Sequence, residues 1–336
     1  MSADADDRGR QRLLLVLKVV FTAVLLWLLV TRISLGQALS LLGEARLLPM
    51  VGALAIFVLS VLAGAWQWGR LLEALGISLG GRKLLELYWV GLFFNNFMPG
   101  NLGGDVVKVV DLSRSARDPV ASATATLADR ITGLSALAAL ALAAAWRLAA
   151  KPELAALARG VQLGSALFLL VALLLLVGPF LRPLRVLGER WGVLRPGSLA
   201  AQILEQLRRL RRRRGLLLRL FAFSLGVQAL RVAVHYLVGR SLLGDACPAA
   251  GDFFLAIPPL AFALTLPITL GGLGLREGLA LPLFAPLGVS GEGAVAIEFL
   301  AYLLMLAVSL VGGLLFLLRR GGGGVQPGAQ GTEGAP

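Results

Sequence analysis

Residues 94–108 read Phe94-Asn95-Asn96-Phe97-Met98-Pro99-Gly100-Asn101-Leu102-Gly103-Gly104-Asp105-Val106-Val107-Lys108. Residues 262–276 read Phe262-Ala263-Leu264-Thr265-Leu266-Pro267-Ile268-Thr269-Leu270-Gly271-Gly272-Leu273-Gly274-Leu275-Arg276. The two share Phe, Pro-x-x-Leu-Gly-Gly and a basic residue at the same spacing, each matched pair 168 residues apart. Each closes an apolar stretch, 84–98 or 253–266, that is shorter than the roughly 20 residues a helix needs to cross a bilayer core. Proline ends the incoming helix, Gly-Gly permits a tight turn, and a new half-helix can begin near Asp105 or Gly274. Backbone that leaves a helix at membrane depth must be buried in protein or line a cavity, because lipid satisfies no N–H group. The pair therefore predicts two broken hairpins inside an all-α polytopic membrane protein.

Composition agrees. Of 336 residues, 57% are hydrophobic and 15% charged, with mean hydropathy +0.82; soluble domains carry about 25% charged residues. The net charge of +13 suits cytoplasmic loops facing an anionic leaflet better than nucleic acid, which is not expected as a partner. One cysteine, Cys247, excludes an internal disulfide, and one histidine, His235, leaves no Cys/His metal cluster. No Gly-x-Ser-x-Gly elbow, phosphate loop or His-Glu-x-x-His is present, so no catalytic residue and no cofactor is expected. Asp105 and Asp111, six residues apart, lie on different helix faces and make no acid–base pair.

Six stretches are long enough to span, 13–30, 48–69, 121–146, 161–181, 216–239 and 293–318. The first follows Arg8, Arg10 and Arg12 with no small-residue cleavage site after it, and reads as a retained helix behind a cytoplasmic terminus, 1–12. The most basic loop, 182–215, also belongs in the cytoplasm. Four spans separate it from the N-terminus, an even number, so 84–98 enters and returns on the cytoplasmic side. The same parity places Arg319-Arg320 inside and makes 253–289 a hairpin from the opposite face, or two short spans. The expected organisation is one transmembrane domain over 13–320, with halves of about 13–148 and 161–318, then a disordered Gly-rich tail, 321–336.

A second echo, Gly69-Arg70-x-Leu72 and Gly239-Arg240-x-Leu242, lies upstream of the first. Each half then holds two spans, a hairpin and a third span, and three crossings per half invert the second relative to the first. Inverted repeats with interrupted helices near the midplane are the architecture of alternating-access transporters. The half-helix N-termini carry partial positive charge suited to an anion, with Lys108 and Arg276 about a turn further on; the bland alternative is a kink with snorkelling bases. Ionisable residues within spans are few: Asp129, Arg130, Arg231 with His235 one turn later, and Glu298, with Glu277 directly after Arg276. Asp129 and Glu298 suit structural ion pairs as well as a site, whereas Arg231 has no acid near it in sequence. The stretch 195–219 reads either as an amphipathic helix on an anionic leaflet or as a topogenic signal.

Three blocks carry a family resemblance: residues 95–105, Asp129-Arg130-Ile131-Thr132-Gly133-Leu134, and residues 266–278 with Gly-Gly-Leu-Gly-Leu-Arg-Glu. They resemble a flippase-like integral membrane family, UPF0104 in type, related to the transmembrane region of lysylphosphatidylglycerol synthase, over roughly residues 10–320. Lys108 stands where Arg is expected at least as often. The resemblance implies movement of a phospholipid or lipid-linked intermediate across the cell membrane, with both termini cytoplasmic. It implies no aminoacyltransferase activity, since the soluble transferase domain of the full synthases is not expected here. The partners implied are membrane lipids with an anionic head group; the alternative is a non-transporting partner or regulator of a lipid- or glycan-modifying enzyme. The expected substrate-binding set is Asn96, Pro99, Gly103, Gly104, Asp105, Lys108, Asp129, Arg130, Arg231, Pro267, Gly271, Gly272, Arg276, Glu277 and Glu298.

Overall fold

The computed structural model describes residues 43–96, 103–116, 118–176, 197–265, 269, 272 and 274–320. The expected first span 13–30, the tail 321–336, residues 182–196 of the basic loop, and Pro99, Pro267 and Gly271 lie outside the described residues.

The described chain is helical, without a strand. Its helices are α1 (Leu47–Ala74), α2 (Gly81–Asn95), α3 (Gly103–Ala116), α4 (Pro119–Leu148), α5 (Ala155–Leu176), α6 (Leu199–Arg211), α7 (Arg214–Leu243), α8 (Phe253–Ala263), α9 (Leu275–Phe284) and α10 (Gly291–Arg320). Five of them, α1, α4, α5, α7 and α10, are long and apolar enough to cross a membrane. Local chemistry sets their starts. Asp118 caps α4, its carboxylate accepting from Ala121 N at 2.8 Å, with Pro119 at the first helical position, where its missing N–H costs nothing. Ser198 caps α6 in the same way. The expected span 161–181 begins earlier, at Ala155, because the turn Pro152–Leu154 leads directly into it.

Between the long helices lie two antiparallel pairs of short ones. In the first, Gly104 N at the start of α3 donates to Asn95 Oδ1 at the end of α2, and Leu87 and Leu112 share one buried cluster at the far end. In the second, Leu264 meets Gly272 at the turn, and Phe253 and Phe284 stack edge-on at 5.5 Å where α8 begins and α9 ends. At 15 residues and about 1.5 Å per residue, α2 is about 22 Å long, short of a core about 30 Å thick.

The succession long, short, short, long occurs twice, with lengths of 28, 15, 14 and 30 residues in α1–α4 and 30, 11, 10 and 30 in α7–α10. Packing crosses between these sets: α2 lies on α10, and α8 lies on α4. The two leading helices, α1 and α7, form the most extensive interface and run antiparallel. Arg46 N donates to Ser241 O at 2.9 Å at one end, and Ser224 Oγ donates to Gln67 Oε1 at 2.7 Å toward the other.

The turn chemistry of the two motifs differs from the common scheme expected for both. Gly272 and Gly274 have φ of +79° and +76°, so they do make a tight turn. Gly103 and Gly104 instead form the first turn of α3, and Gly104 is there for proximity: a Cβ would overlap the Gly91 carbonyl oxygen where α2 and α3 cross. The stretch 195–219, read either as an amphipathic helix on a leaflet or as a topogenic signal, is described from residue 197 onward. The apolar stripe of α6, including Leu207 and Leu210, is buried in one cluster with Ala121 and Ala125 of α4 and with Trp68, Leu71 and Leu112, because α6 packs on the first part of α4.

Candidate functional site

A central cavity of about 350 Å³ lies between α1–α4 and α7–α10. Seven of the expected site residues line it: Asn96, Asp105, Lys108, Asp129, Arg130, Arg231 and Arg276. They come from both halves of the chain, carried inward by the two hairpins and by the middles of α4 and α7.

On the first-half side, Asp105 holds two cations, Lys108 Nζ at 2.9 Å and Arg130 Nε at 2.8 Å. Lys108 is buried, and its ammonium also sits 5.1 Å from the Tyr88 ring and 5.3 Å from that of Trp68, contacts that offset part of the cost of burying it. Asp129 does not pair with its neighbour Arg130, since adjacent helical residues point about 100° apart. It accepts from Gln67 Nε2 at 2.8 Å, and Gln67 in turn accepts from Ser224, so α1, α4 and α7 are joined through one amide. Asn96 donates to Ser309 Oγ at 2.9 Å, tying the first hairpin to α10.

On the second-half side, Glu298 is fully buried behind the cavity wall. Its Oε1 lies 2.8 Å from His235 Nδ1 and its Oε2 3.4 Å from Arg276 Nη1. Arg276 stacks over Tyr302 at 5.4 Å, and its buried Nε has no partner among the described residues. Arg231 has only a long contact, 3.5 Å to Tyr88 Oη, and no carboxylate within ion-pair distance among the described residues. The wall thus carries four cations against Asp105, Asp129 and, one layer back, Glu298. The balance is positive, and two guanidinium groups have hydrogen-bonding capacity to spare.

Four expected site residues have other work. Glu277 caps α9, accepting from Gly274 N at 2.8 Å, and lies off the cavity wall. Gly272 makes the turn, Gly104 the crossing, and Gly103 opens α3. One N–H at each half-helix start is taken from within, Gly104 N by Asn95 and Gly274 N by Glu277, because a buried N–H must find an acceptor. Sequence reading missed Gln67, Tyr88, Asn95, Ser224, Gln228 and Tyr302, all at the wall; Gln67 and Gln228, amides inside apolar spans, were the detectable signal.

Residues 15–313 match the family described as the lysylphosphatidylglycerol synthase TM region. The chain belongs to that family. Over 125 residues it is also 29% identical to the UPF0104 membrane protein PH1989 of Pyrococcus horikoshii. That alignment spans 36% of this chain and 36% of the relative's length. Membership agrees with the resemblance carried by the motifs around Pro99, Asp129 and Pro267, and with a multi-pass membrane protein.

Proposed function

We propose that this protein is a transporter that flips a phospholipid or lipid-linked intermediate across the cell membrane, its anionic head group passing through the central cavity. One observation carries the reading: among the described residues Arg231 has no carboxylate within ion-pair distance and Arg276 Nε has no partner, and both face a cavity enclosed by hairpins from both halves. Arginine's fork matches a phosphate, and such groups are costly in a membrane interior unless something binds them. At about 350 Å³ the cavity is at the small end of ligand sites and suits a head group, while the acyl chains stay in lipid. The repeated helix succession and the antiparallel α1 and α7 support an inverted repeat, with one hairpin entering from each face and both termini cytoplasmic. Rocking of one half against the other would expose the arginines to each leaflet in turn. In this reading the chain carries out no aminoacyl transfer.

The test is reconstitution into liposomes with fluorescent anionic phospholipids and polyprenyl phosphates. The wild type should accelerate exchange between leaflets, and Arg276→Ala and Arg231→Ala should each reduce the rate at least tenfold at equal reconstitution. No acceleration with any of these lipids would favour the partner-protein reading.

A further inference from the structure

A second concave site lies away from the central cavity, where α6 meets α7 beside the end of α1. It is a hollow of about 620 Å³ whose charged lining is Arg70, Glu73, Arg212, Arg213, Arg214 and Arg219. Glu73 pairs with Arg70, and Arg219 Nε donates to Gly215 O at 3.1 Å. Five guanidinium groups therefore face one carboxylate across a single hollow. Such crowding of like charge is unfavourable, and a concave surface concentrates the resulting field. The start of α7 adds to it, since Arg213 at its N-cap makes no side-chain cap.

Below this hollow the surface turns apolar on the same side. Trp66 lies one helical turn before Arg70 on α1, and Phe223 one turn after Arg219 on α7. Because α1 and α7 are antiparallel, both aromatics fall on the membrane side of the arginines, and their rings meet at 4.6 Å. Both are exposed, Trp66 by 50% and Phe223 by 37%, and Leu62 and Leu59 continue the exposed strip along α1. A basic hollow above an aromatic and aliphatic strip matches the two ends of one lipid. A soluble anion would leave the strip unused.

We propose that this site binds an anionic phospholipid, its phosphate among Arg70, Arg213 and Arg219 and an acyl chain along Trp66 and Phe223. The bound lipid ties the end of α1 to the start of α7, two helices whose opposite faces line the central cavity. The site is independent of the transport reading.

The test is native mass spectrometry of the full chain in neutral detergent, titrated with dioleoyl-phosphatidylglycerol, dioleoyl-phosphatidylcholine or inorganic pyrophosphate. Phosphatidylglycerol should be retained in preference to phosphatidylcholine. Arg219→Gln and Arg70→Gln, exposed changes on separate helices, should each weaken its retention about tenfold. Trp66→Ala should weaken phosphatidylglycerol retention while leaving pyrophosphate unaffected. Equal retention of the two lipids, or unchanged retention in both arginine variants, overturns the proposal. Pyrophosphate bound as tightly as phosphatidylglycerol, with Trp66→Ala silent, overturns it in favour of a soluble polyanion. Failure of lipid flipping with this retention intact would sink only the transport reading.

Discussion

Glu298 offers the sharpest test of the central site. It is fully buried, with His235 Nδ1 2.8 Å from one oxygen and Arg276 Nη1 3.4 Å from the other. Glu298→Ala would leave the Arg276 charge buried without its counter-ion, and breaking a buried pair in this way costs about 3–5 kcal/mol. Glu298→Gln keeps the volume and one acceptor but loses the charge, and should cost about 1–3 kcal/mol. Replacing both partners, Arg276→Met with Glu298→Leu, removes the desolvated charges together and should recover most of the loss. The assay is reversible unfolding by SDS titration of purified protein in mixed micelles, read by far-UV circular dichroism. The double variant should be more stable than Glu298→Ala although it carries more changes. If the double variant loses the sum of its singles, Glu298 does not compensate Arg276 and the reasoning fails.

Other outcomes follow from the same structure. Gly104→Ala should lower the yield of folded protein severely, since its Cβ has only backbone to displace at Gly91; wild-type monodispersity by size exclusion would contradict the crossing geometry. Single cysteines at Asn101 and Thr269, in a Cys247→Ser background, should be labelled by impermeant maleimide from opposite faces of oriented vesicles; labelling of both from one face rules out the inverted repeat. Burial pushes the Cys247 thiol from 9.0 up to about 11, with Arg240 drawing it partly back. The folded state then keeps between about pH 9 and 11 a proton that the unfolded state releases, so this group's contribution to stability falls as pH rises through that window. Alkylation of native protein by iodoacetamide should accordingly keep accelerating up to about pH 11, whereas a plateau near pH 9 would show an ordinary thiol.

Much of this protein was legible from local signals. Apolar run length located the long helices, because bilayer thickness is a constraint on sequence itself. Proline and paired glycines located the breaks, and the rarity of charge within spans singled out Asp129, Arg130, Arg231 and Glu298 before any contact was known. What sequence left open was partnership. Asp129 and Arg130 are neighbours in the chain yet turn to different partners, Gln67 and Asp105, because a helix separates adjacent side chains by about 100°. Asn95 and Glu277 occupy N–H groups that sequence alone offered to a ligand, and only the fold of each hairpin brings cap and donor together.

The repeated Pro-x-x-Leu-Gly-Gly segment shows the same division. Sequence by itself pointed to a break at each copy, where a proline without an N–H stands four residues before paired glycines without a Cβ. Only tertiary structure decided that Gly104 serves close approach while Gly272 serves a left-handed turn. It also decided that Lys108 meets Asp105 on its own half-helix, whereas Arg276 meets a more distant glutamate shared with His235 and has an Nε without a partner among the described residues. Two copies of one motif thus became different parts of one site, through neighbours that lie far from each motif in the chain.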